Sequence, residues 1–126
     1  MNFDNNIKPI SLQIIDFISE NILKKRWHEE ERVPSVRELA VTLEVNPNTV
    51  LKAYVYLEEN NIFFKKRGIG YFISNGGYNK MLDLKKDDFI KNEIPILLQN
   101  MNLLNLTIKE LTEILTSSNP DLNIKN

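Results

Sequence analysis

Three short clusters in this sequence combine residue types suited to hydrogen bonding with a polyanion. The first is Pro34-Ser35-Val36-Arg37-Glu38-Leu39-Ala40. Ser35 and Glu38 have the spacing of a capping box, which starts a helix directly after Pro34. Arg37 then falls in the first turn, where a positive charge opposes the helix dipole and calls for an anionic partner. A phosphate or a guanine edge is such a partner. The second cluster, Asn46-Pro47-Asn48-Thr49, reads as an N-cap, a proline at the first helical position and two polar residues. Amides and hydroxyls at a helix start meet base edges while the backbone N–H groups meet phosphate. Asparagine pairs bidentately with adenine, and a threonine methyl packs on a thymine methyl. Lys52, one turn on, suits phosphate. The third cluster is Lys65-Lys66-Arg67-Gly68-Ile69-Gly70, whose two glycines give a narrow tip able to approach a groove closely.

The candidate contact residues are therefore Ser35, Arg37, Asn46, Asn48, Thr49, Lys52, Lys66, Arg67, Gly68 and Gly70. Each cluster also has a blander reading. Any capped helix can open as the first two do, and lysines on a hairpin edge discourage strand pairing. Tyr54 is expected to place its ring in a core, with its hydroxyl reaching a backbone.

The elements that must hold these clusters follow from apolar spacing. Ile10, Ile14, Ile18 and Ile22 recur every fourth residue and define a first helix, with Pro9 at its start and Lys24, Lys25 and Arg26 at its end. A second helix buries Val36, Leu39, Ala40 and Leu43. A third buries Val50, Ala53, Tyr54 and Leu57 and closes at Asn60-Asn61. Residues 62–66 and 71–74 are β-branched and aromatic and flank a glycine-containing turn, the pattern of a hairpin. Gly76-Gly77 reads as a flexible joint. Beyond it, a helix from about residue 88 to 101 carries Ile90, Ile94, Leu97, Leu98 and Met101, with Pro95 kinking it or marking its true start. Thr107 and Glu110 form another capping box, opening a shorter helix with Leu111, Ile114 and Leu115.

Composition narrows the alternatives. The chain has 126 residues, with 42% hydrophobic and 26% charged, as in a soluble globular protein. No apolar run approaches the roughly 18 residues of a membrane span, and the start lacks the layout of a secretory signal. Cysteine is absent, which fits a cytoplasmic setting and rules out thiolate metal sites. His28 is the lone histidine and reads as a solvated residue, Trp27 as a core plug, and Glu29, Glu30 and Glu31 as a solvated loop. No phosphate-binding glycine loop or nucleophile–base pair is present, so neither catalysis, a metal nor a cofactor is expected. The net charge of −1 counts against nucleic-acid binding by bulk electrostatics, so local placement of cations must supply any such affinity.

Residues 9–74 resemble the GntR family of bacterial regulators. The resemblance is carried by Pro9-Ile10, Gln13-Ile14, the Pro34-to-Ala40 run, Asn46-Pro47-Asn48-Thr49-Val50, Ala53-Tyr54, Leu57-Glu58 and Arg67-Gly68-Ile69-Gly70-Tyr71-Phe72. The Asn-Pro-Asn-Thr turn and the short tail look most like the YtrA subfamily, whose members often control transporter operons. Ser11 stands where the family often has tyrosine, and Lys25 and Glu30 where glycines commonly break the loop after the first helix. The resemblance implies a mainly α fold: a three-helix winged helix-turn-helix with a two-stranded wing over residues 7–75, and a small helical dimerisation tail over residues 76–126. It also implies a repressor that binds a two-fold pseudosymmetric operator, third helix in the major groove and wing at the minor groove.

The tail has too few residues for its own core, so the stripe of Ile90, Ile94, Leu97, Leu98, Met101, Leu111, Ile114 and Leu115 is expected to meet its copy in a homodimer. An effector, if the protein has one, would bind at that interface or at the joint. The rival reading is a winged helix used for protein–protein interaction without operator recognition. It would favour apolar anchors at 46–49, where this chain has none.

Overall fold

The computed structural model describes residues 8–119. In chain order the elements are α1 (Ile10–Leu23), α2 (Val36–Leu43), α3 (Pro47–Glu59), β1 (Phe63–Lys66), β2 (Gly70–Ile73), α4 (Gly77–Asp88), a π-helical turn (Phe89–Glu93), α5 (Ile94–Leu104) and α6 (Ile108–Ser118). Two compact units divide them, one running through Lys86 and the other from Asp87.

In the first unit the expected stripes meet in one core. Ile14, Ile18 and Ile22 of α1 are buried with Leu39 and Leu43 of α2 and Val50, Ala53, Tyr54 and Leu57 of α3. Each fully buried aliphatic side chain contributes about 1.5–3 kcal/mol relative to an exposed one. Pro9 takes the N-cap of α1, and Trp27 is partly buried, its ring edge-on to Phe17. The helix ends at Leu23; Lys24 caps it and bonds back to Glu20 at 2.7 Å.

The connection from α1 to α2 turns through left-handed backbone at Lys25 (φ 57) and Glu30 (φ 66), the two positions where the resemblance implies glycine. It then runs beside the hairpin. The amide of Glu30 donates to the Ile73 carbonyl at 2.7 Å, Ile73 donates to Glu31 at 3.1 Å, and Val33 donates to Tyr71 at 2.9 Å. The acidic run is thus more than a solvated loop: its backbone lines the edge of β2 opposite β1. Glu29 adds a second role. Its carboxylate accepts from the amides of Gly76 (2.7 Å) and Tyr78 (3.3 Å), satisfying donors at the start of α4.

That helix corrects the expected joint. Gly77 is buried within α4, where a Cβ would lie 2.9 Å from the Ile73 side chain, and Met81 is fully enclosed in the core. Lys85 reaches back to Asp16 of α1 at 2.6 Å. Gly77 is therefore a close-packed helix start, preceded by Gly76 in left-handed backbone (φ +82), and the first unit extends past residue 75 to Lys86.

In the second unit Pro95 stands in the first turn of α5, where its missing N–H is harmless, and the π turn precedes it. Asn105 (φ 55) ends α5, and the Thr107–Glu110 capping box opens α6. Within this unit Met101 is buried at 7% exposure, whereas Ile90, Leu98, Ile114 and Leu115 stand exposed. Met101 thus departs from the rest of the expected dimerisation stripe, because it is already covered in the single chain. Ile94 and Leu111 are half-buried, and Leu97 is exposed.

Candidate nucleic-acid interface

The capping box of α2 is fully formed. Ser35 Oγ accepts from the Glu38 amide at 3.1 Å, and a Glu38 carboxylate oxygen accepts from the Ser35 amide at 3.0 Å. Those bonds hold the Glu38 carboxyl below its ordinary value, the backbone bond from Ser35 contributing most. Ser35 is thereby occupied as a cap. Arg37 follows in the exposed first turn, and among the described residues it has no hydrogen-bond or ion-pair partner.

On α3, Asn46 caps the helix by accepting from the Asn48 amide at 2.8 Å, so one of its side-chain atoms already serves the fold. Asn48 and Lys52 are exposed and Thr49 is half-buried. Two bonds tie these helices to each other and to the wing. Tyr54 of α3 donates its hydroxyl to the carbonyl of Pro34, just before α2, at 2.6 Å. The hydroxyl anticipated as reaching a backbone therefore reaches that of its own chain. Arg32 Nε donates to the carbonyl of Ile69 in the wing turn at 3.3 Å, and its guanidinium lies 3.7 Å from Glu38.

Arg32 is the positioning residue that the sequence reading missed. Its partner in the wing lies 37 residues away, and no local motif announces it. It also packs against Gly70. With φ +143 that residue favours glycine, and an added Cβ would come within 3.0 Å of Arg32 Nε. The demand for glycine at this position thus comes first from its backbone, and the Arg32 side chain packs into the space a Cβ would take. Gly68 (φ +77) supplies the turn and faces open space.

The hairpin pairs antiparallel, with Lys66 opposite Gly70. Its lysines are placed by aromatic rings: Lys66 Nζ lies 4.5 Å from the Phe72 ring centre and 5.8 Å from that of Phe64, and Lys65 lies 5.6 Å from Tyr71. Ring faces attract the ammonium groups without neutralising them. Arg67 at the tip has no carboxylate partner among the described residues. The arrangement thus presents Arg37, Lys52 and Arg67 as unneutralised cations, with amide and hydroxyl groups at the start of α3. Among the described residues no cluster of His, Cys, Asp or Glu is placed to hold a metal ion, and no helix is long and apolar enough to cross a membrane.

A helix, a capped helix, a turn, a third helix and a short hairpin define a winged helix-turn-helix, and comparison with known proteins agrees. Residues 10–73 match the family described as "Bacterial regulatory proteins, gntR family". The chain is 35% identical over 106 residues to the uncharacterized HTH-type transcriptional regulator YhcF of Bacillus subtilis, covering 84% of this chain and 86% of that protein. It is also 35% identical over 105 residues to the HTH-type transcriptional repressor YtrA of the same organism, covering 83% and 80% respectively. Among solved structures, a putative GntR-family transcriptional regulator from Bacteroides thetaiotaomicron superposes with a TM-score of 0.75 at 37% identity, over 90% of this chain and 99% of that one. This chain belongs to the GntR family of DNA-binding transcriptional regulators. Members of that family are regulators, not enzymes.

Proposed function

We propose that this protein binds a two-fold pseudosymmetric operator as a homodimer and represses the genes downstream. The observation that carries this reading is the unpartnered Arg37 in the first turn of α2, together with the polar start of α3. In this reading Asn48 and Thr49 meet base edges in the major groove, with Asn46 contributing the part of its amide not spent on the cap. Lys52 holds phosphate, Ser35 and Arg37 sit at the backbone, and Lys66 and Arg67 flank the minor groove with the glycines of the tip. Exposed Ile90, Leu97, Leu98, Ile114 and Leu115, with half-buried Ile94 and Leu111, form the dimer face. Likeness to the repressor YtrA supports repression as the sign, and the resemblance drawn from the sequence supports a transporter operon among the controlled genes.

Binding to the DNA upstream of the protein's own gene, followed by fluorescence anisotropy at two salt concentrations, tests this reading. Arg37→Ala should weaken binding by about 1–3 kcal/mol while leaving the melting temperature in place. Equal affinity of variant and parent would remove Arg37 from the interface. A parent protein that shows no preference for any sequence over bulk DNA would favour the protein-interaction reading of the winged helix.

A further inference from the structure

The outer face of α3 is not uniformly polar. Asn48, Leu51, Lys52, Val55, Tyr56 and Glu59 line one open concavity of about 540 Å³ along it. Leu51 is 42% exposed, and Val55 and Tyr56 are exposed beside it. The spacing explains this: residues three and four apart are surface neighbours, so Leu51 stands next to both Asn48 and Val55. The buried side of the same helix is supplied by Val50, Ala53, Tyr54 and Leu57, so Leu51 has no part in the core.

The C5 methyl of thymine is the one methyl group in the major groove; the other base-edge groups there are hydrogen-bond donors and acceptors, apart from the small C5–H of cytosine. A helix that lies in that groove with an apolar strip beside its amide-bearing first turn therefore has one kind of complementary feature. We infer that Leu51 is a specificity-determining residue that packs against a thymine methyl, next to the base met by Asn48, with Val55 extending the strip. This rests on the proposal that α3 occupies the major groove, and it adds a base preference that the polar residues alone do not give.

The test begins by selecting duplexes that bind the full-length protein from a random pool. The preferred duplex is then remade with each thymine in turn replaced by uracil, which deletes the methyl and keeps the base pairing. One such replacement in each half-site should weaken binding about fourfold, the worth of one buried methyl. The same replacement should have no effect on Leu51→Ala, whose melting temperature should match the parent because Leu51 is half in solvent. Parent binding that is indifferent to every uracil replacement overturns the inference, as does an equal loss in parent and variant. A lower mass for Leu51→Ala in sedimentation, with unchanged uracil sensitivity, would reassign the strip to contact between copies. A pool that yields no preferred sequence would instead sink the operator reading itself, and Leu51's role with it.

Discussion

The Tyr54 hydroxyl donates a 2.6 Å hydrogen bond to the carbonyl of Pro34, while its ring meets those of Phe63 and Tyr71 edge-on, each 5.1 Å away between centres. One side chain thus joins the middle of α3, the start of α2 and both strands of the wing. Burial, with the nearby Glu38 charge adding to it, pushes the phenol well above its ordinary value, so it remains a donor throughout the usable pH range.

Tyr54→Phe keeps the ring contacts and removes only this bond. Stability to urea should fall by about 1 kcal/mol, as for loss of one part-buried hydrogen bond. Affinity for operator and non-operator DNA should fall together, because the relative placement of α2 and α3 loosens without loss of a base contact. A loss confined to one base pair would mean that Tyr54 touches DNA.

The left-handed turns at Lys25 and Glu30 carry a cost that glycine would relieve. That conformation disfavours an L-residue by about 1–2 kcal/mol, part of which glycine returns through its greater freedom when unfolded. Glu30→Gly should therefore raise stability by roughly 0.5–1 kcal/mol. Lys25→Gly should gain less, since the Lys25 ammonium lies 5.3 Å from the Tyr78 ring centre and that contact would go. Thermal melts of the two variants, read side by side, check the order.

Asp16 sits between Lys8 and Lys85, and the second of these ties α4 to α1. Partial burial alone would raise its carboxyl, but the hydrogen bonds from Lys8 and Lys85 outweigh this and leave it below the ordinary 3.8. A folded value below the unfolded one gives stability that is complete above the unfolded value and is lost as pH falls through the folded one. The urea midpoint should therefore drop as the pH is lowered past 3.8, and Asp16→Asn should show a shallower drop over the same window. Glu20, Glu38 and Glu110 are lowered as well, so the difference between the two proteins is the quantity to measure.

Where the chain is cut decides what is learned about the tail. A protein ending at Lys86 keeps Met81 in the core and should be folded and monomeric, with operator affinity reduced by the avidity of a tethered pair, commonly about 10²–10⁴-fold. A protein ending at Asn75 loses Met81 and should be less stable by about 2–5 kcal/mol, the usual cost of emptying a buried methionine site. Sedimentation and urea titration separate the two. A chain cut at Lys86 that stays dimeric would move the interface into the winged helix.

Much of this was readable because its signals are local. The capping boxes at Ser35–Glu38 and Thr107–Glu110, the Asn46-Pro47 helix start and the four-residue isoleucine stripe each lie within a few residues of what they specify. Apolar spacing and the hairpin pattern supplied the order of the elements, and family likeness the DNA-binding class. What escaped was non-local. The α4 helix is short of apolar residues, opens on glycines that read as a break, and receives its cap from Glu29, 47 residues earlier. Arg32 spans 37 residues to reach the wing turn at Ile69, and its side chain fills the space beside Gly70, a contact that no neighbour in sequence announces.

Because Glu29 holds the first turn of α4 while Glu30 and Glu31 hold the free edge of β2, a single stretch of chain secures both. Neither can be released without disturbing the other. In hydrogen exchange, the amides of Gly76, Tyr78 and Ile73 should therefore open together as one cooperative unit, with a common protection free energy. Helix α4, lacking a cap of its own making, should acquire protection during refolding only after α1 has brought this stretch into place.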